Sequence, residues 1–115
     1  MYLVHLHLRR ADGSPPARLT ALIGAGVRGA ARAGDGVEHV AVHADALPHP
    51  VLGVYVVADR VEEAEAGAAR AWRRALAAHP ELTGWVLVEA RTPLDVSFYE
   101  RLLDAPAAPE AGGAD

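Results

Sequence analysis

The run Tyr2-Leu3-Val4-His5-Leu6-His7-Leu8-Arg9 restricts this chain more than any other stretch. Successive side chains of a strand point to opposite faces. As a strand, the run puts Tyr2, Val4, Leu6 and Leu8 on one face and Leu3, His5, His7 and Arg9 on the other. One face suits a core; the other carries two imidazoles and a guanidinium. A second strand-like run, Val37 to Ala44, repeats the design with His39 and His43 on a common face. The chain is therefore expected to build a sheet with one apolar side and one side on which histidines gather.

Turn and helix signals divide the rest. Asp12-Gly13-Ser14-Pro15-Pro16 ends the first strand. Ser14 is expected to cap a helix whose first residue is Pro15, where a missing N–H costs nothing. Leu19, Leu22, Ile23, Val27, Ala30 and Ala31 then form one stripe at helical spacing, and Gly34 marks the stop. Gly24, Gly26 and Gly29 each weaken such a helix by up to ~1 kcal/mol, which close packing on a sheet would offset. Val51 to Ala58 is a near-continuous apolar strand, so a central position is expected. The prolines of Asp45-Ala46-Leu47-Pro48-His49-Pro50 make the intervening segment a loop.

Asp59, with Glu62 three residues on, is expected to open the second helix in a capping-box arrangement. Val61, Ala64, Ala68, Ala71, Trp72, Ala75 and Leu76 form its buried stripe, and Pro80 ends it. Arg70, Arg73 and Arg74 fall mostly outside that stripe and are expected to face solvent. Gly84 to Ala90 reads as a fourth strand. Thr92-Pro93-Leu94-Asp95 repeats a helix-entry signal leading through Phe98, Leu102 and Leu103. The expected organisation is one α+β domain over 1–104 and a disordered tail over 105–115, where Ala, Pro, Gly and acids dominate.

The order β-α-β-β-α-β over residues 1–91 is the split-βαβ pattern and resembles the ferredoxin-like superfold. The resemblance rests on element order. It implies an antiparallel sheet of strand order 4-1-3-2, both helices on one face, and an open face covered by a second subunit or used for binding. Dimers of the antibiotic-biosynthesis monooxygenase and muconolactone-isomerase types are similar in architecture. They close two open faces into a barrel around small substrates, often without a cofactor. A homodimer acting on, or holding, a small molecule is what the resemblance implies here.

Composition narrows the chemistry. A net charge of −4 and two small arginine clusters argue against a nucleic-acid surface. With no cysteine, thiolate nucleophiles and disulfides drop out. Histidines interrupt the early apolar stretch, so no signal peptide is read, and no run approaches the ~20 apolar residues of a membrane span. The default expectation is a cytoplasmic protein. Its Ala-, Arg- and Gly-rich make-up resembles that of GC-rich bacterial genomes.

Candidate site residues follow from strand alternation. With helices on the Val4 side, the open face is expected to hold His5, His7 and Arg9 of the first strand and His39 and His43 of the second. Tyr55 is expected to join them from the third. On the fourth, Trp85, Leu87 and Glu89 share a side, and the smaller Val86, Val88 and Ala90 suit the helix-packed one, which sends Trp85 and Glu89 to the open face. Imidazole titrates near pH 6.5 and can carry protons at physiological pH. His5, His7 and His43 are thus candidate acid/base residues. Glu89 would orient one of them, and Arg9, His39, Tyr55 and Trp85 would contact substrate. The competing reading is that these histidines pair across strands at a dimer seam.

His5 and His7 lie about 6–7 Å apart on one side of a strand, close enough to share a metal ion. No HExxH motif, cysteine pair or Asp-rich loop supports a metal, and no cofactor is expected. Gly24-Ala25-Gly26-Val27-Arg28-Gly29 matches a dinucleotide fingerprint by letter but sits inside the proposed helix. Ser14 and Ser97 read as helix-cap or helix-surface residues. Trp72 reads as core, His79 as a helix C-terminal residue and His49 as a loop residue. The leading expectation is a cofactor-independent cyclase, isomerase or oxygenase; the rival is a non-catalytic accessory protein docking an enzyme or peptide on the same surface.

Overall fold

A computed structural model describes residues 1–93, and the expected C-terminal helix and tail lie outside them. The strands are β1 (Tyr2–Arg10), β2 (Val37–His43), β3 (Val51–Val56) and β4 (Trp85–Arg91). Helix α1 spans Ala21–Ala30 and α2 spans Val61–Ala78, with short 3-10 turns at Ala33–Asp35 and Pro80–Gly84. The strands form one sheet of order β2-β3-β1-β4, every neighbouring pair antiparallel. That is the expected order read from the other edge. The protein is an α+β sandwich of one sheet and two helices.

Alternation decides which side is covered. Val4, Leu6 and Leu8 of β1 are fully buried, as are Leu52, Val54 and Val56 of β3. They meet Val27 of α1 and Ala64, Ala68, Ala71, Trp72 and Ala75 of α2 in one core. The alanine-rich stripe lets α2 lie low on the sheet, and Trp72 fills the remaining space. Truncating that ring to Ala would cost about 3–5 kcal/mol. β3 is buried along most of its length, consistent with its place between β1 and β2.

Two glycines mark close approaches. A Cβ on Gly24 would come within 2.9 Å of Val42, so α1 packs tightly on β2 as its sequence suggested. A Cβ on Gly67 would collide with the Asp35 carbonyl, which is how α2 sits against the Ala33–Asp35 turn.

The start of α1 differs from the expectation. Residues 14–20 are not helical, and Thr20 rather than Ser14 precedes the first turn, without a side-chain cap. A proline disfavours helical geometry in the residue before it, so Pro16 works against a helix that starts at Pro15. The Ser14 amide instead donates to the Ala11 carbonyl in a turn. The extended segment carries Leu19 into the core, whereas Leu22 is 82% exposed. The second helix likewise begins after Arg60, with no side-chain cap from Asp59. It stops at Ala78 before Pro80, as the proline required.

Candidate functional site

The register settles the side opposite the helices. Leu3 pairs with Tyr55, His5 with Gly53 and His7 with Val51; across β3, the same residues pair with His39, Ala41 and His43. Residues directly opposite in a ladder share a face. His5, His7, His39, His43 and Tyr55 therefore lie on the side away from both helices.

His5 is central among these rings. Its centroid is 6.0 Å from that of His7 and 6.3 Å from that of His43. His39 stands farther along β2, with its ring 5.7 Å from Tyr55. The middle of this face has a low floor, because Gly53 and Ala41 lie side by side. A Cβ on Gly53 would come within 3.3 Å of His43 Nε2, so the missing side chain is what lets that imidazole lean over β3. The depression beside it has a volume of about 780 Å³. Its walls include Leu3, His5, His7, His43, Val51 and Tyr55, and the β2–β3 loop closes one end. That end is tied by a two-pronged ion pair in which Arg18 donates to both Asp45 carboxylate oxygens at 2.8 and 3.0 Å. Hydrogen bonding and charge from each partner push the Asp45 carboxyl below, and the Arg18 guanidinium above, their ordinary pKa values.

β4 contributes differently from the expectation. His7 pairs with Glu89 but Leu8 pairs with Leu87, leaving Val88 as an extra residue. Such a β-bulge resets the alternation. Glu89 stays on the side of His7, while Leu87 and Trp85 turn to the helix side. Trp85 is accordingly buried, at 5% exposure, and belongs to the core cluster. Its expected contact with a substrate on the open face is thus corrected. Glu89 lies across from His7 in register, but its carboxylate is 3.1 Å from Arg91 Nε, so the ion partner it meets is a guanidinium. Arg9 sits at the far end of β1 and turns away, donating to the Arg10 carbonyl and approaching Asp12 at 3.6 Å. Neither Arg9, His39 nor Glu89 lines the depression. Among the described residues no group of three or more His, Asp or Glu side chains is arranged to hold a metal ion.

A second polar cluster escaped the sequence reading. Asp35, only 3% exposed, accepts hydrogen bonds from the Arg32 backbone amide at 2.9 Å and Arg70 Nε at 3.1 Å, and from Arg74. Burial alone would raise its pKa. The amide and the two guanidinium groups outweigh that and hold the carboxyl below its usual range. Arg70 and Arg74 are therefore not simply solvated, as their place outside the buried stripe suggested. The available signal was an arginine pair spaced i, i+4 on α2 and an acid set between Gly34 and Gly36.

Among the described residues no helix is long and apolar enough to cross a membrane. Comparison with protein-family models, with curated proteins and with solved structures finds no match to this chain.

Proposed function

We propose that the chain is a ferredoxin-like domain that pairs through its helix-free sheet face and holds a small molecule there. His5, His7 or His43 carries a proton in a cofactor-independent cyclisation, isomerisation or oxygenation. The observation that carries this reading is the meeting of imidazoles from β1 and β2 beside a floor of Gly53 and Ala41. Histidine is the side chain whose ordinary titration range spans physiological pH, and general acid/base catalysis by a positioned imidazole contributes typically 10²–10⁴-fold. Tyr55 and Leu3 supply aromatic and apolar walls suited to a flat ring. Glu89 and Arg91, one beside the other at the β4 edge, add a charged border near His7 and His5. A second copy laid over this face would close the open depression and exclude water.

Native mass spectrometry of purified protein is the first test, with a dimer and a retained small molecule as the expected species. With the substrate class in hand, His5→Ala, His7→Ala and His43→Ala are assayed singly. A drop of at least 100-fold in turnover for one of them is expected. Unchanged rates in all three would remove the enzymatic reading. A second protein retained on this face, with no small molecule, would favour the accessory role.

A further inference from the structure

The molecule carries a second cleft, on the helix side and separate from the histidines. It lies between α1 and the Pro80–Gly84 turn and has a volume of about 760 Å³, within the ~300–1,000 Å³ usual for small-molecule sites. Leu22, Ile23, Leu82 and Trp85 give it apolar walls. Leu22 stays 82% exposed there, although it is a large aliphatic residue on a helix. Gly26 keeps the helix wall low: a Cβ at this position would meet only the His79 ring, at 3.6 Å.

The charged groups around the cleft are unequal. Arg18 is held by Asp45 on two prongs. His79 and Glu81 face each other, with Nδ1 and Oε2 separated by 3.6 Å. Arg10 is different. Its Nε donates to the Pro15 carbonyl at 2.9 Å, and its guanidinium lies 4.8 Å from the centroid of the Trp85 ring. Gly84 permits this, since a Cβ there would strike the guanidinium itself. The group is fixed by stacking and by one hydrogen bond, yet no carboxylate pairs with it among the described residues. A guanidinium fork held in this way is preorganised for a planar anion, because little freedom remains to be lost on binding.

We propose that this cleft binds a soluble carboxylic acid with an apolar body. The carboxylate pairs with the Nη groups of Arg10, and the hydrocarbon part lies against Leu22, Ile23 and Trp85. The proposal does not depend on any activity of the opposite face.

The test uses octanoate, its uncharged counterpart octanamide, and acetate, with the Trp85 indole and the Gly26 and Gly29 amides followed by NMR in ¹⁵N-labelled protein. Octanoate is expected to give saturable shifts at these positions. Octanamide should bind at least tenfold more weakly, and acetate should give none over the same range. Arg10→Gln should weaken octanoate at least tenfold. Gly26→Leu, which fills the cleft from a helical position, should abolish its binding while the remaining spectrum is kept. If Arg10→Gln does not fold, the ligand series and Gly26→Leu decide alone. No saturable shift with octanoate, equal binding of octanamide, or wild-type affinity in Gly26→Leu would overturn the proposal. So would shifts at these positions that track protein concentration without ligand, since a second copy would then be the occupant.

Discussion

The Asp35–Arg70–Arg74 cluster and the His5–His7–His43 cluster are both polar groups set against an apolar fold, but they are built on opposite terms. Asp35 is buried and has several donors aimed at it, all from its own chain, so its needs are met internally. The donors come from the 3-10 turn and from α2, and their effect is to fasten one to the other. The imidazoles instead line a depression beside bare backbone at Gly53. The first cluster ties two elements together; the second borders a hollow. The contrast predicts that substitutions in the first will be read in stability and those in the second in binding or turnover.

The largest stability effect should come from Asp35→Ala. Removing one partner of a buried ion pair typically costs 3–5 kcal/mol. Because Arg70 and Arg74 remain partly in solvent, about 2–3 kcal/mol is expected, measured by urea unfolding at neutral pH. A loss below about 0.5 kcal/mol would break the comparison. The same group sets a pH signature. Its folded pKa is depressed, so its contribution is present above the ordinary aspartate value near 4 and fades as pH falls through and below it. The stability gap between the native chain and Asp35→Asn should accordingly narrow in that acid range and stay constant from pH 6 to 8.

Gly53→Val should have a smaller effect on stability, about 1 kcal/mol, since overpacking costs typically 1–3 kcal/mol and a strand favours Val over Gly. Its effect on the second cluster should be larger. The new side chain must displace the His43 ring, and the imidazole resonances of His5 and His43 should both shift in NMR spectra. Ring resonances that do not move would show that the low floor has no part in gathering the histidines. His43→Ala, at an exposed position, should change stability by no more than about 0.5 kcal/mol. Arg18→Ala sits at the bottom of the order. An exposed ion pair contributes little, so no measurable change in Tm is expected, and a clear loss would mean that the strap to Asp45 supports the β2–β3 loop.

Legibility from the sequence followed the same division. The strands and the helix-facing residues of β1 could be read because period-two alternation in Tyr2–Leu8 is unbroken and β3 is almost wholly apolar, whereas the strand order came from the superfold that the element order resembles. Alternation groups His5 with His7 and His39 with His43, but only the pairing register puts both pairs and Tyr55 on one side. Alternation sends Trp85 to the wrong face, because nothing in Trp-Val-Leu-Val-Glu announces an extra residue at Val88. The beginning of α1 falls where two rules conflict: Pro15 suits a first helical position, but Pro16 disfavours a helical backbone in its predecessor. Asp35 was passed over because a lone acid between glycines resembles any turn. Only the fold brings it under two arginines that lie 35 and 39 residues later.

The extra residue in β4 has a wider consequence. It makes a single strand serve two surfaces, with Glu89 bordering the imidazoles and Trp85 flooring the cleft under Arg10. Were β4 paired regularly with all its residues, without the bulge, the two would fall in phase, turning the indole out to water or the carboxylate into the interior. The floor of the cleft and the charged border of the sheet face thus depend on the same pleat irregularity, and one could not be rebuilt by shifting this strand without undoing the other.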